Sequence, residues 1–94
     1  MSLDEATPIA RHRRTAARVI DGRAVVIVID RQELHTLDEV GTRIWQLADG
    51  RSLGAIVDTL AEEYDAARAT LLDDARAFVE QLAGLGALRI DEAA

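Results

Sequence analysis

Residues 34–50, LHTLDEVGTRIWQLADG, constrain this chain more than any other stretch. An alternating apolar run passes without a linker into an amphipathic pattern that opens on Asp38 and stops at Asp49-Gly50. Asp38 suits a helix N-cap, because its carboxylate accepts from the free amide hydrogens of the first turn. Val40, Ile44 and Leu47 recur at i, i+4 and i+7 with Trp45 beside them, and Gly50 suits a left-handed C-terminal cap. A strand joined directly to a helix sets a sheet edge beside a helical bundle.

Upstream, residues 15–20 read as a strand and Asp21-Gly22 as the turn of a hairpin. Residues 24–29, AVVIVI, carry five β-branched side chains in a row, the strongest strand signal in the chain. Their lack of alternation predicts a central strand with both faces covered. Asp30-Arg31-Gln32 makes a second short turn. Residues 33–37 then alternate, with Leu34 and Thr36 on one face and Glu33, His35 and Leu37 on the other. The prediction is a three-stranded antiparallel meander whose third strand is an edge.

Ser52 caps a second helix, whose apolar set Leu53, Ile56, Val57, Leu60 and Tyr64 keeps the helical period. Thr70 is read as the cap of a third, over 71–83. That helix carries two apolar stripes. Leu71, Ala75, Phe78 and Leu82 form one, continued by Leu85; Leu72, Val79 and Ala83 form the other, interrupted by Arg76. One stripe buries a helix on a small core, so the wider apolar surface means that this helix either also faces the sheet or lines a groove. Gly84 and Gly86 end the helix, and 87–90 reads as a short strand or an extended tail. Residues 1–12 are polar, contain Pro8 and lack a period, and are read as a disordered N-terminal segment before a single domain at 13–91. Three strands followed by three helices make an α+β order with segregated layers.

Composition removes whole classes of function. The 94 residues contain no cysteine, so neither disulfides nor thiolate metal sites arise. No apolar run approaches the roughly 20 residues that span a bilayer, and the first residues lack the apolar core of a signal peptide. A soluble cytoplasmic protein is the default. The net charge of −6 is unevenly spread: residues 1–31 carry six Arg against four acids, and the remainder five Arg against thirteen acids. Nucleic acid binding needs many basic contacts to phosphate, and the acidic helical half opposes it.

Catalytic machinery is equally sparse. His12 and His35 have no histidine or cysteine at metal-ligand spacing. His35 reads first as a partly exposed strand residue and second as a partner contact. The acid pairs Asp38-Glu39, Glu62-Glu63 and Asp73-Asp74 are adjacent in sequence, so on helices their side chains diverge and stay solvated rather than converging in a cleft. Gly54 belongs to no phosphate loop, and no nucleophile–base–orienter set assembles.

Taken in order, Leu37-Asp38, Val40-Gly41, Ile44-Trp45 and Asp49-Gly50, then an apolar helix over 53–64, then Asp74-Ala75, Phe78-Val79, Leu82 and Gly86, the chain resembles the PqqD-like family over about residues 14–90. These are small peptide-recognition domains of ribosomal peptide maturation. Two departures stand out. The family's Asn before the first helix is Asp38 here. The Pro-Glu common before the third strand in members devoted to pyrroloquinoline quinone is replaced by Asp30-Arg31-Gln32-Glu33, which favours another peptide product.

The resemblance implies a winged helix-turn-helix-like domain with no catalytic role and no cofactor. It would bind the leader of a precursor peptide as an added strand, in the cleft between the third strand and the third helix. It would then present the peptide to a modifying enzyme, often a radical SAM enzyme, or to a leader peptidase. The expected site is the edge Glu33, Leu34, His35, Thr36 and Leu37, with Leu72, Val79 and Ala83 as the opposite wall and Arg76 placed to pair with a leader carboxylate. No nucleic acid or membrane partner is expected, and the open edge also invites a homodimer. Two other readings stand beside this one: a winged-helix DNA-binding protein, and a structural subunit capping a larger enzyme.

Overall fold

The computed structural model describes residues 3–90. Their order is β1 (Pro8–Arg11), β2 (Thr15–Ile20), β3 (Arg23–Val28), a 3-10 turn (Ile29–Arg31), β4 (Glu33–Thr36), α1 (Glu39–Leu47), β5 (Asp49–Ser52), α2 (Leu53–Glu63), α3 (Arg68–Gly84) and β6 (Leu88–Ile90). The fold class is α+β, as the element pattern predicts.

The meander is β2-β3-β4, antiparallel throughout, with β3 in the centre. Asp21 and Gly22 have φ of 53° and 79°, the paired left-handed values of a two-residue hairpin turn whose twist matches the strands. Ala24, Val26 and Val28 of β3 point into the core. The prediction that both faces of β3 are covered fails: Val25 is half-buried and Ile27 is 42% exposed. The core draws on one face of the sheet, and no described element covers the other.

A second sheet, ordered β5-β1-β6, was not predicted. It corrects the reading of residues 1–12 as disordered, for within the described part Leu3 and Ile9 are core residues and Ile9 is fully buried. Pro8 is tolerated because it opens the strand, where a missing donor is least felt. The N-terminal segment also completes α2. The amides of Leu53 and Gly54 donate to the carbonyls of Thr7 (2.9 Å) and Glu5 (2.8 Å), and Arg68 binds both Glu5 and Asp58. Gly50 is not the cap of α1, which ends through Ala48. With φ of 107°, Gly50 lies inside β5, where the register of β1 against β5 shifts by a residue.

Asp38 and Ser52 cap α1 and α2 as predicted, accepting from Gly41 N (2.7 Å) and Ala55 N (3.1 Å). Thr70 does not cap α3. That helix begins at Arg68 with Ala67 as its N-cap, no side chain caps it, and the ion pairs of Arg68 hold its first turn. The core joins Ile44, Trp45 and Leu47 of α1, Leu53, Ile56, Val57 and Leu60 of α2, and Leu71, Ala75, Val79 and Leu82 of α3 to β3. Trp45 is packed inside it.

One buried polar contact fixes the sheet to the first helix. The Ala24 carbonyl accepts from Leu37 N (2.8 Å), and the Ala24 amide donates to the Thr42 hydroxyl (2.7 Å), a side chain 4% exposed. Thr42→Val retains the shape and orphans the Ala24 amide, so it should cost about 1–3 kcal/mol in denaturant unfolding, while Thr42→Ser should cost less.

A second tight contact joins α1 to α3. A Cβ at Gly41 would lie 2.7 Å from Phe78 Cε1 and 3.0 Å from Asp38 Oδ1. Alanine there should therefore destabilise by about 1–3 kcal/mol from overpacking, against its gain of about 1 kcal/mol in helix propensity. Adding Phe78→Leu should recover part of the loss in the same unfolding measurement.

Candidate functional site

β4 is an edge strand, and the parity of its ladder fixes which peptide groups are free. Leu37 N donates to Ala24 O, so Leu37, His35 and Glu33 direct their backbone groups at β3. Leu34 and Thr36, the alternate positions, direct their N–H and C=O groups away from it. The side chains divide the other way. Leu34 and Thr36 lie on the uncovered face with Ile27 and Val25, and Leu34 is 61% exposed. Glu33 and His35 lie on the face turned towards the helices, and Leu37 is buried in the core.

α3 bounds this edge at two points. Past its C-terminal end, a Cβ at Gly86 would be 3.7 Å from Arg31 Nε and 3.7 Å from Val28 Cγ1, so the turn before β4 rests on the Leu85-Gly86 turn. Near its middle, Phe78 touches Gly41, just beyond the other end of β4. The edge of β4, with its free peptide groups, runs between these two points. On its helix-facing side His35 Nε2 is buried, lies 3.6 Å from Glu33 Oε1 and has no hydrogen-bond partner.

The structure brings together some of the predicted residues and not others. Glu33 and His35 lie on the helix-facing side of β4, Leu34 and Thr36 contribute outward backbone groups, and Leu37 is buried in the core. Val79 is fully buried and belongs to the core stripe. Leu72, Arg76 and Ala83 are half-buried on one flank of that stripe; Phe78 and Leu85 occupy the other. The flank of Arg68, Leu72 and Arg76 turns towards the N-terminal segment: Arg68 binds Glu5, and the charge of Arg76 also helps to lower the Glu5 pKa. Arg76 lies 3.9 Å from Asp73, and its Nε is buried without a partner. The wall nearest β4 is therefore Phe78 with the Leu85-Gly86 turn. Sequence reasoning assigned Phe78 and Leu85 to the core; the signal that could have moved them is Gly41, an unfavourable residue inside a helix unless another side chain needs the space.

Other chemistry is not assembled here. Among the described residues, no group of three or more His, Asp or Glu side chains could hold a metal ion. α3 exposes Asp73, Asp74 and Glu80, an acidic surface ill suited to a phosphate backbone. No helix among the described residues is long and apolar enough to cross a membrane.

The family model of coenzyme PQQ synthesis protein D (PqqD) matches residues 23–88. A protein of Rhodopseudomonas palustris (strain BisB5) named PqqA binding protein is 33% identical, over 94% of this chain and 87% of the relative. Among solved structures, TbiB1 in complex with the TbiA(beta) leader peptide superposes with a TM-score of 0.80 and 29% identity, covering 90% of this chain and 98% of that one. The PqqD portion of Methylobacterium extorquens PqqCD, described as a stand-alone RiPP recognition element, has a TM-score of 0.76 and 21% identity, a likeness of fold that covers 94% of this chain and 95% of that one. Sequence and fold point the same way: the chain belongs to the PqqD family.

Proposed function

We propose that residues 3–90 act as one non-catalytic recognition domain, in the cytoplasm, that holds the leader of a ribosomally made precursor peptide by strand addition to β4. It presents that peptide to a modifying enzyme, such as a radical SAM enzyme, or to a leader peptidase. The observation that carries this reading is the pair of outward peptide groups at Leu34 and Thr36, on an edge whose two ends lie beside α3. The kinship with TbiB1, whose structure holds a leader peptide, supports it.

Calorimetry with PqqA and the TbiA(beta) leader as probes tests the site. Binding of at least one peptide is expected, and Thr36→Pro should weaken it at least about tenfold while the melting temperature holds, because that amide makes no bond to β3. His35→Pro removes a ladder bond and should lower the melting temperature instead. Unchanged affinity in Thr36→Pro, or no binding of either peptide, overturns the reading.

A further inference from the structure

The meander has a second open edge, β2, longer than β4 and built differently. Ile29 N donates to Arg14 O (3.0 Å), which fixes the ladder parity of the hairpin. Residues 16, 18 and 20 therefore pair with β3, and the peptide groups of Thr15, Ala17 and Val19 point away from the sheet. Beneath this edge runs a trough between β2 and α1. One part, of about 560 Å³, is walled by Thr15, Ala17 and Val19 and floored by Trp45 and Gln46, with Arg13 at its mouth. It continues past Val19 and Gln46 towards the hairpin tip, where Asp21, Asp38 and Glu39 line it together with Arg23 and Arg43, so the surplus of cations lies at the Arg13 end and along the strand at Arg18. Nothing in the core requires this space, and Val19 is left 48% exposed.

Charge says what would fill it. The chain is acidic, yet most of its arginines are committed. Arg11 donates to the Trp45 and Gln46 carbonyls at the end of α1, and Arg14, Arg43, Arg51, Arg68 and Arg76 each face a carboxylate. Among the described residues, Arg13, Arg18, Arg23 and Arg31 have no partner, and three of these four stand on or beside β2. Free cations along an open strand edge suit an extended segment rich in carboxylates, with small apolar side chains alternating into the trough.

We propose that β2 is a second strand-docking edge, and that its occupant is an acidic extended segment of the peptide-modifying enzyme. The choice of enzyme rests on the leader-binding reading. With the leader beside β4, β2 stays open, and strand spacing separates the leader from an added enzyme strand by about 19 Å, four sheet spacings. One sheet then carries both the peptide and the machinery that acts on it.

The docking chemistry is testable without a leader. Amide NMR of the full chain is recorded with the blocked peptide acetyl-Glu-Val-Glu-Val-Glu-Val-amide and with its Lys-for-Glu counterpart. The expected result is shifts at Thr15, Ala17 and Val19 with the acidic peptide alone, weakened at least about tenfold by combined Arg13→Glu and Arg18→Glu. The same variant should weaken sedimentation-detected association with a peptide-modifying enzyme that acts on a leader bound by this chain, while the calorimetric affinity for that leader holds. No shift, equal shifts with the Lys peptide, or shifts confined to Leu34 and Thr36 overturn the proposal. So does a self-association abolished by Ala17→Pro, which assigns the edge to a second copy, or a precursor peptide that shifts β2. Loss of leader affinity in Thr36→Pro with β2 docking intact separates the two sites; failure of the leader reading alone leaves the β2 shifts in place and removes the enzyme as occupant.

Discussion

The rest of the architecture depends on how the peptide group of Ala24 is satisfied. Its carbonyl takes the last hydrogen bond of the β3–β4 pairing from Leu37, and its amide is met by the Thr42 hydroxyl, after the chain has already turned into α1. A buried amide without an acceptor costs about 1–3 kcal/mol, a sizeable fraction of the stability of a small domain. The contact therefore sets where β4 must stop and how α1 must lie. With α1 fixed, Gly41 brings Phe78 of α3 against it. Through this sequence of contacts the open edge of β4 acquires an opposite wall, although few direct contacts join β4 to α3.

That arrangement divides labour within one sheet. The inner face of β3 supplies core, the outer face remains apolar and uncovered, and both outer strands keep a row of unpaired peptide groups. Open edges are a hazard in small proteins and are usually blunted. Here the β2 edge lies over a trough floored by α1, and the two ends of β4 lie beside α3. Arg18 stands on β2 with Arg13 before it and Arg23 across the hairpin, while Arg31 and Glu33 stand at the start of β4.

Legibility in the sequence followed the range of the interactions. The Asp21-Gly22 hairpin, the Asp38 and Ser52 caps and the periods of α1 and α2 are local, so neighbouring residues announced them. The β5-β1-β6 sheet was illegible because its strands are three or four residues long and meet across the whole chain: Ile9 pairs with Ile90, and Pro8 with Ser52. The site was half legible. Alternation in 33–37 marked the edge and its faces, but on α3 both flanks are apolar, and which one turns to β4 is decided by packing of Gly41 on Phe78 and of Glu5 on Arg68. Glycines inside helices were the overlooked clue: Gly54, like Gly41, stands where another part of the chain passes close by, with Glu5 O 3.1 Å from where its Cβ would be.

The brevity of β4 has a consequence of its own. Four residues expose two outward peptide units, and backbone bonding repeats every second residue, so an added strand could sit in several frames of nearly equal energy. A short edge grips without counting. On the leader-binding reading proposed above, the frame would be set by side chains that do not repeat, such as His35 on this edge and Phe78 beside its end. Adhesion and alignment are thus separable quantities in this fold. A family can keep the first in its backbone while changing the second by one or two substitutions, and so redirect the same scaffold to a new peptide.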